Sequence, residues 1–328
     1  MRIVLRADAG VERGTGHVMR CLTLGEGLLE AGHDVVLVGD LGGVEWLLRQ
    51  VGAMGIRHIA CPRDSHDQEL FVELGADRVV VDSYWIPAEL ISSADARVPT
   101  LAIVDGDHRG ISAHWYLDHN VGAEERDWSH LEGTVLAGAR YGLVRKAVAA
   151  LRRQDGWKLP GRESRIVAFM GGTDPRHVMT AVVRSIAAVM PEAHLTAVTT
   201  TAQLEGVSSA AARMPNAEIV GPTSSLPEML GSADVIVSAA GTSLLDVCAL
   251  GRAALFVGVV DNQRDGLAHA MAAGAAYGVD ATLHGAESVG EMLVRLLDDE
   301  DLRRSTVERA LELVDGRGVS RVVRALTA

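Results

Sequence analysis

Residues 152–172 read RRQDGWKLPGRESRIVAFMGG. The stretch 152–164 is polar and carries Pro160 among loop-forming residues, the composition of an interdomain linker. The run 165–170 then turns apolar and enters Gly171-Gly172, as a buried strand does before a tight turn into a helix. The same pattern opens the chain. A strand is expected over 3–7, and a helix over about 17–30 that ends at Gly32, a C-cap residue. Strands at 35–38, 56–60, 78–82 and 101–105 alternate with helices near 44–51 and 67–74. The runs 79–81 and 102–104 are continuously apolar, which suits strands buried on both faces. After the break, strands are expected at 195–198, 217–220, 235–238 and 254–257, with helices between them and a helical tail over about 286–326. Alternating strands and helices predict parallel sheets. The fold class is therefore α/β: two Rossmann-like parallel-sheet domains, 1–151 and 165–328, joined by a linker at 152–164 and facing a central cleft.

Composition narrows the function. The chain has 328 residues, 48% hydrophobic and 23% charged, which is a globular balance. Acidic residues number 43 against 31 basic, a net charge of −12. Such a surface repels phosphate backbones, so no nucleic-acid partner is expected. Cys21, Cys61 and Cys248 are scattered and fit neither a disulfide framework nor zinc spacing, which suits a reducing cytosol. No run reaches the roughly 18 apolar residues of a membrane span, and the N-terminus turns polar too soon for a signal peptide. A cytoplasmic protein not integral to a membrane is expected, with its oligomeric state unspecified.

Several loops carry candidate chemistry. Gly14, Gly16 and His17 join the first strand to the first helix, where glycines allow close approach and free N–H groups face a ligand. His17 at that positive end is favoured as a neutral, base-competent imidazole. Gly171, Gly172 and Thr173 precede the next helix without the lysine of a Walker loop or the dinucleotide fingerprint. Thr173 or Asp174 is placed to cap that helix. Gly241, Thr242 and Ser243 form a third such turn, where amides and a hydroxyl can seat a diphosphate. Asp246, one turn further on, is placed to accept from ribose hydroxyls. Asn262 and Gln263 end a strand and can bind sugar hydroxyls or position a water. Tyr84 follows a buried strand. Asp105 and His108 also end a strand, but His114 and His119 lack ligand spacing, so no metal site is expected. His33, His58, His66 and His269 read as surface or cap residues. Each glycine loop also suits an ordinary strand-to-helix turn, so the residues alone leave both readings open.

Together the motifs go further. R-x-D near the start, G-T-G-H-x-x-R ending at Arg20, D-S-Y, A-G-x-x-Y-x-L-V-R ending at Arg145, G-G-T-D-P, A-G-T-S and D-N-Q occur in that order. The chain resembles the UDP-sugar hydrolase of pseudaminic acid biosynthesis, UDP-2,4-diacetamido-2,4,6-trideoxy-beta-L-altropyranose hydrolase, and the related spore-coat polysaccharide proteins. More distantly it is similar to the glycosyltransferase that adds GlcNAc to lipid I. The resemblance spans nearly the whole chain and implies the GT-B architecture, with the nucleotide held by the C-terminal domain. It implies His17 as catalytic base, with Tyr84 and Asn262 as further catalytic residues. It also implies Gly14, Gly16, Arg20, Gly171, Gly172, Thr173, Gly241, Thr242, Ser243, Asp246 and Gln263 around the substrate, with no cofactor and no metal. The family carries Glu where this chain has Asp246, one methylene shorter. The reaction expected first is inverting, metal-independent hydrolysis of a UDP-sugar, with His17 activating water. The alternative is transfer of the sugar to an acceptor hydroxyl on the same scaffold.

Overall fold

The computed structural model describes residues 1–10, 14–153, 164–174 and 176–328. The chain divides into two compact units, Met1–Leu143 with Arg317–Ala328, and Val144–Gly316. Most of the expected linker, 154–163, lies outside the described residues.

Unit 1 runs β1 (Arg2–Ala7), α1 (Gly16–Glu30), β2 (Asp34–Val38), α2 (Glu45–Ala53), β3 (Arg57–Ile59), α3 (Gln68–Glu73), β4 (Arg78–Asp82), β5 (Thr100–Ile103), β6 (Trp115–Asp118) and β7 (Thr134–Ala137). Its seven strands form one parallel sheet ordered β3-β2-β1-β4-β5-β6-β7. Strand order therefore reverses between β1 and β4, where Ala7 pairs with Asp82. Ligands of open α/β sheets collect at the carboxyl ends of strands at such a point. The central strands are apolar on both faces: Ile3, Leu5, Val80 and Leu101 bury one, and Val4, Val36 and Val79 the other, as sheets covered on both sides require.

Unit 2 runs α4 (Lys146–Ala150), β8 (Arg165–Phe169), α5 (Val178–Val189), β9 (His194–Val198), α6 (Leu204–Ala210), β10 (Ala217–Val220), α7 (Leu226–Ser232), β11 (Val235–Ala239), α8 (Ser243–Leu250), β12 (Ala253–Gly258), α9 (Arg264–Ala272), β13 (Tyr277–Asp280), α10 (Ala281–His284), α11 (Val289–Asp298) and α12 (Glu300–Leu313). Its six strands are also parallel, ordered β10-β9-β8-β11-β12-β13. The reversal lies between β8 and β11, whose following loops are Gly171-Gly172 and Gly241-Thr242.

Three expectations need correction. The strands β6, β7 and β13 were not anticipated; each has four residues, and Asp118, Thr134 and Gly278 with Asp280 leave at most three consecutive apolar ones in each. The first domain ends before residue 151. Arg145 bonds Asp246, and Arg152 donates to the carbonyls of Ala249, Val314 and Leu311, so α4 belongs to unit 2. The tail does not stay with the second domain either. Its last helix, α13 (Gly318–Thr327), packs in unit 1. Val322, Val323 and Leu326 join the core formed by β1 and α1, at the spacing of one helical face. Two glycines permit this approach: a Cβ on Gly27 of α1 would overlap Val319, and one on Gly318 would overlap the Gly142 backbone.

Candidate active site

In unit 1 the reversal point is filled by charge. His17 is the second residue of α1 and is 7% exposed. Its Nδ1 lies 2.6 Å from Asp82 Oδ1, at the end of β4. A carboxylate only accepts, so Nδ1 carries the proton and Nε2 is the free, basic nitrogen. Arg20, one turn along α1, grips both Asp82 oxygens: Nη2 donates to Oδ1 at 2.7 Å and Nε donates to Oδ2. The same guanidinium donates to Asp105 through Nη1 at 2.7 Å and Nη2 at 3.0 Å. Nη2 also lies 3.2 Å from His17 Nδ1, but its two protons are directed to the carboxylates.

Tyr84 donates its hydroxyl to Asp105 and sets its ring edge-on to His17, centroids 4.7 Å apart. Arg109 lies over the Tyr84 ring at 4.9 Å and donates to the Ser83 carbonyl at 2.7 Å. Asn120 donates to Asp105 at 3.1 Å and to Asp118 at 2.9 Å. On the β1 side, Ser83 donates to Asp8, which also pairs with the wholly buried Arg6 at 2.7 Å. Buried charges must be paired to be tolerated, and here each carboxylate has a cation or several donors.

The electrostatics follow. Burial pushes the Asp82 carboxyl up, but Arg20 and then His17 outweigh this and hold it below its ordinary value. Asp105 is likewise raised by burial and held well below the carboxylate range by Arg20 and Tyr84. Burial, then Asp105, pushes the Tyr84 phenol up, so Tyr84 acts as a hydrogen-bond donor and not as an acid at neutral pH. Burial lowers the Arg20 value, but Asp105 and Asp82 more than reverse it.

In unit 2 the reversal point is bare. Gly171 and Gly172 are exposed, and Gly171 holds a φ of 84° that favours glycine. Asp174, not Thr173, caps α5: its carboxylate accepts from the amides of Val178 at 2.9 Å and Met179 at 3.0 Å. Pro175 of the G-G-T-D-P motif lies outside the described residues. Thr242 stands at the N-cap of α8 but makes no side-chain cap bond. Gly241 faces Gln263, whose Oε1 accepts from the Val259 amide at 3.0 Å. Asn262 is exposed on the short turn Asp261–Gln263.

The structure thus gathers His17, Arg20 and Tyr84 in unit 1, and Gly241, Thr242, Ser243, Asp246 and Gln263 in unit 2. Gly14 pairs with Gly10 to close the loop before α1, while a Cβ on Gly16 would meet open space; Val11, Glu12 and Arg13 between them lie outside the described residues. Two roles change. Arg20, expected near the substrate, directs its Nε, Nη1 and Nη2 donors to Asp82 and Asp105. Asp246 is 5% exposed and accepts from the Arg145 amide at 2.9 Å and from Arg145 Nε at 2.7 Å, so Arg145 already holds the carboxylate assigned to ribose. His66, expected at the surface, is 7% exposed. The sequence reading missed Asp82 as the partner of His17, and Asp105 as the partner of Arg20. The available signal was an acid ending an otherwise apolar strand. Among the described residues no group of three His, Cys, Asp or Glu side chains is placed to hold a metal ion. Nor is any helix among them long and apolar enough to cross a membrane.

Known proteins share this fold. The chain has a full-length relative. It is 24% identical, over 354 aligned positions, to the spore coat polysaccharide biosynthesis protein SpsG of Bacillus subtilis, covering 99% of this chain and 98% of that protein. No family model matches. Among solved structures, MurG of Acinetobacter baumannii has a TM-score of 0.68 at 14% identity, with 99% of each chain covered. The spinosyn rhamnosyltransferase SpnG, solved with thymidine diphosphate, has a TM-score of 0.64 at 15% identity over the whole of both chains. At such identities the likeness is one of fold: two parallel-sheet, Rossmann-like α/β domains, as in GT-B glycosyltransferases.

Proposed function

We propose that this protein is a glycosyltransferase that moves a sugar from a nucleotide diphosphate onto an acceptor hydroxyl. The observation that carries this reading is the His17–Asp82 pair, a base with its tautomer set, at the reversal point of unit 1. His17 Nε2 takes the proton of the attacking hydroxyl, and Asp82 stabilises the imidazolium that results. The acceptor oxygen bonds the anomeric carbon as the carbon–oxygen bond to the diphosphate breaks, with inversion. The leaving diphosphate keeps the electron pair and rests on the amides that open α8 and on the Gly171-Gly172 loop. The Arg145 guanidinium, fixed by Asp246 in the first turn of α8, adds positive charge there.

The resemblance led first to hydrolysis, with water in place of the acceptor. Transfer is favoured because the solved chains of like fold include a rhamnosyltransferase captured with thymidine diphosphate, and because the full-length relative is named for polysaccharide biosynthesis. The pseudaminic acid pathway is not carried over. The test is nucleotide release from UDP- and dTDP-sugars without acceptor. Saturable binding with only trace release is expected, rising when simple glycoside acceptors are added. Fast His17-dependent release without acceptor would make the protein a hydrolase.

A further inference from the structure

His17 and Asp82 form a pair, but Asp82 is not free to act on His17 alone. Arg20 covers both its oxygens, and Asp105 in turn holds Arg20 through two nitrogens. Beyond Asp105 stand the Tyr84 hydroxyl and the Asn120 amide. The result is a continuous chain from Tyr84 through Asp105, Arg20 and Asp82 to His17, drawn from α1 and from the ends of β4, β5 and β6. The side chains of Arg20 and Asp82 are 6% and 1% exposed, and that of Asp105 is 13% exposed. Water therefore screens these charges little.

We propose that Arg20 and Asp105 are positioning residues that set the charge felt by the His17 imidazole. With His17 neutral, the two carboxylates and one guanidinium leave one net negative charge, which a proton on His17 cancels. The base can then accept a proton without stranding charge in the interior, and can release it without being gripped by an unshared carboxylate. Without Arg20 the cluster would hold two negative charges and keep the proton. Without Asp105 it would be neutral and resist the proton.

Other groups near this cluster are paired, neutral or, in Asp118 and Arg109, of opposite sign and on its Tyr84–Asp105 side. Arg6 and Asp8 on the β1 side form a closed pair. Burial pushes the Cys21 thiol up, so it is neutral. Burial and Arg20 hold His119 to about 4, so it too is neutral. Burial and the Asp105 charge raise Asp118, which several donors then oppose, and Asn120 bonds both carboxylates. Arg109 lies over the Tyr84 ring, 4.9 Å from its centroid.

This inference rests on His17 being the base, but its test does not need activity. The imidazole titration of His17 in the intact protein is followed by NMR, with the signal assigned by its loss in His17→Gln. Asp105→Asn is expected to move the midpoint down and Arg20→Gln to move it up, each by about one unit, the usual effect of one nearby charge. Arg20→Lys, which keeps the charge but not the fork, is expected to stay near the parent. Shifts in the same direction, or none, would overturn the proposal. If Asp105→Asn does not fold, Tyr84→Phe tests the same link. Asp105 then loses a donor and draws harder on Arg20, so a smaller upward shift is expected, and an unmoved midpoint would overturn the proposal. Opposed shifts beside an active His17→Ala enzyme would instead retain the charge chain and remove the base assignment.

Discussion

Units 1 and 2 reverse their strand order at corresponding places, between β1 and β4 and between β8 and β11. In unit 1 that place holds His17, Arg20 and Asp82, all buried and cross-paired. In unit 2 it holds exposed glycines and partly exposed hydroxyl residues. Topology decided where a ligand can sit, and side chains decided what each place can do. Buried, fully paired charge is rigid, which is what an oriented base needs. Bare glycine turns leave backbone amides open, which is what an anion needs.

The strongest way to break this contrast is His17→Ala. Turnover is expected to fall roughly 10²–10⁴-fold with little change in KM, the range of an acid–base contribution. Steady-state kinetics check this, and a comparable rise in KM would shift the site's role to binding. Next is Asp246→Ala in unit 2. It leaves the Arg145 amide and Nε without their partner and should cost about 1–3 kcal/mol of stability, read from urea unfolding. No loss would mean that the pair is not formed in solution. Smaller still is Gly241→Ala. Its Cβ would stand 3.0 Å from Gln263 Nε2, and the strain at the α8 turn should weaken UDP or TDP binding about tenfold. Calorimetry checks this, with kcat expected to hold.

The mildest test uses acid. His66 and His119, both in unit 1, are held to about 4, His66 by burial and Arg6, His119 by burial and Arg20. Free histidine titrates near 6.5. Between about 6.5 and 4 the unfolded chain therefore binds the protons first. Stability is full above this window and falls through it as the pH drops. The buried Asp118 carboxyl, raised by burial, opposes the trend at the acid end. Four of the five tryptophans, Trp46, Trp85, Trp115 and Trp128, lie in unit 1, so tryptophan fluorescence in urea, read with Trp157→Phe, reports that unit. Its midpoint should be lower at pH 5 than at pH 7.

The glycine loops and His17 were legible because each is a short run of neighbours in the chain. The strands were legible where the apolar run was long, as at 78–82 and 235–238, and not at β6, β7 or β13. The amphipathic face of α13 was visible, but not the core it would join. The partner of His17 was hidden for the same reason, since Asp82 lies 65 residues away. Arg20 meets Asp105 across 85 residues, and Arg145 meets Asp246 across 101.

By itself the sequence determined the alternation of strand and helix, because burial and backbone preference act on each residue and its near neighbours. It also determined the turns at Gly14 and Gly171, whose positive φ only glycine takes freely. Tertiary structure alone decided which carboxylate would meet which cation. Strands distant in the chain lie side by side in a sheet, and their ends bring together charges that must pair once water is excluded.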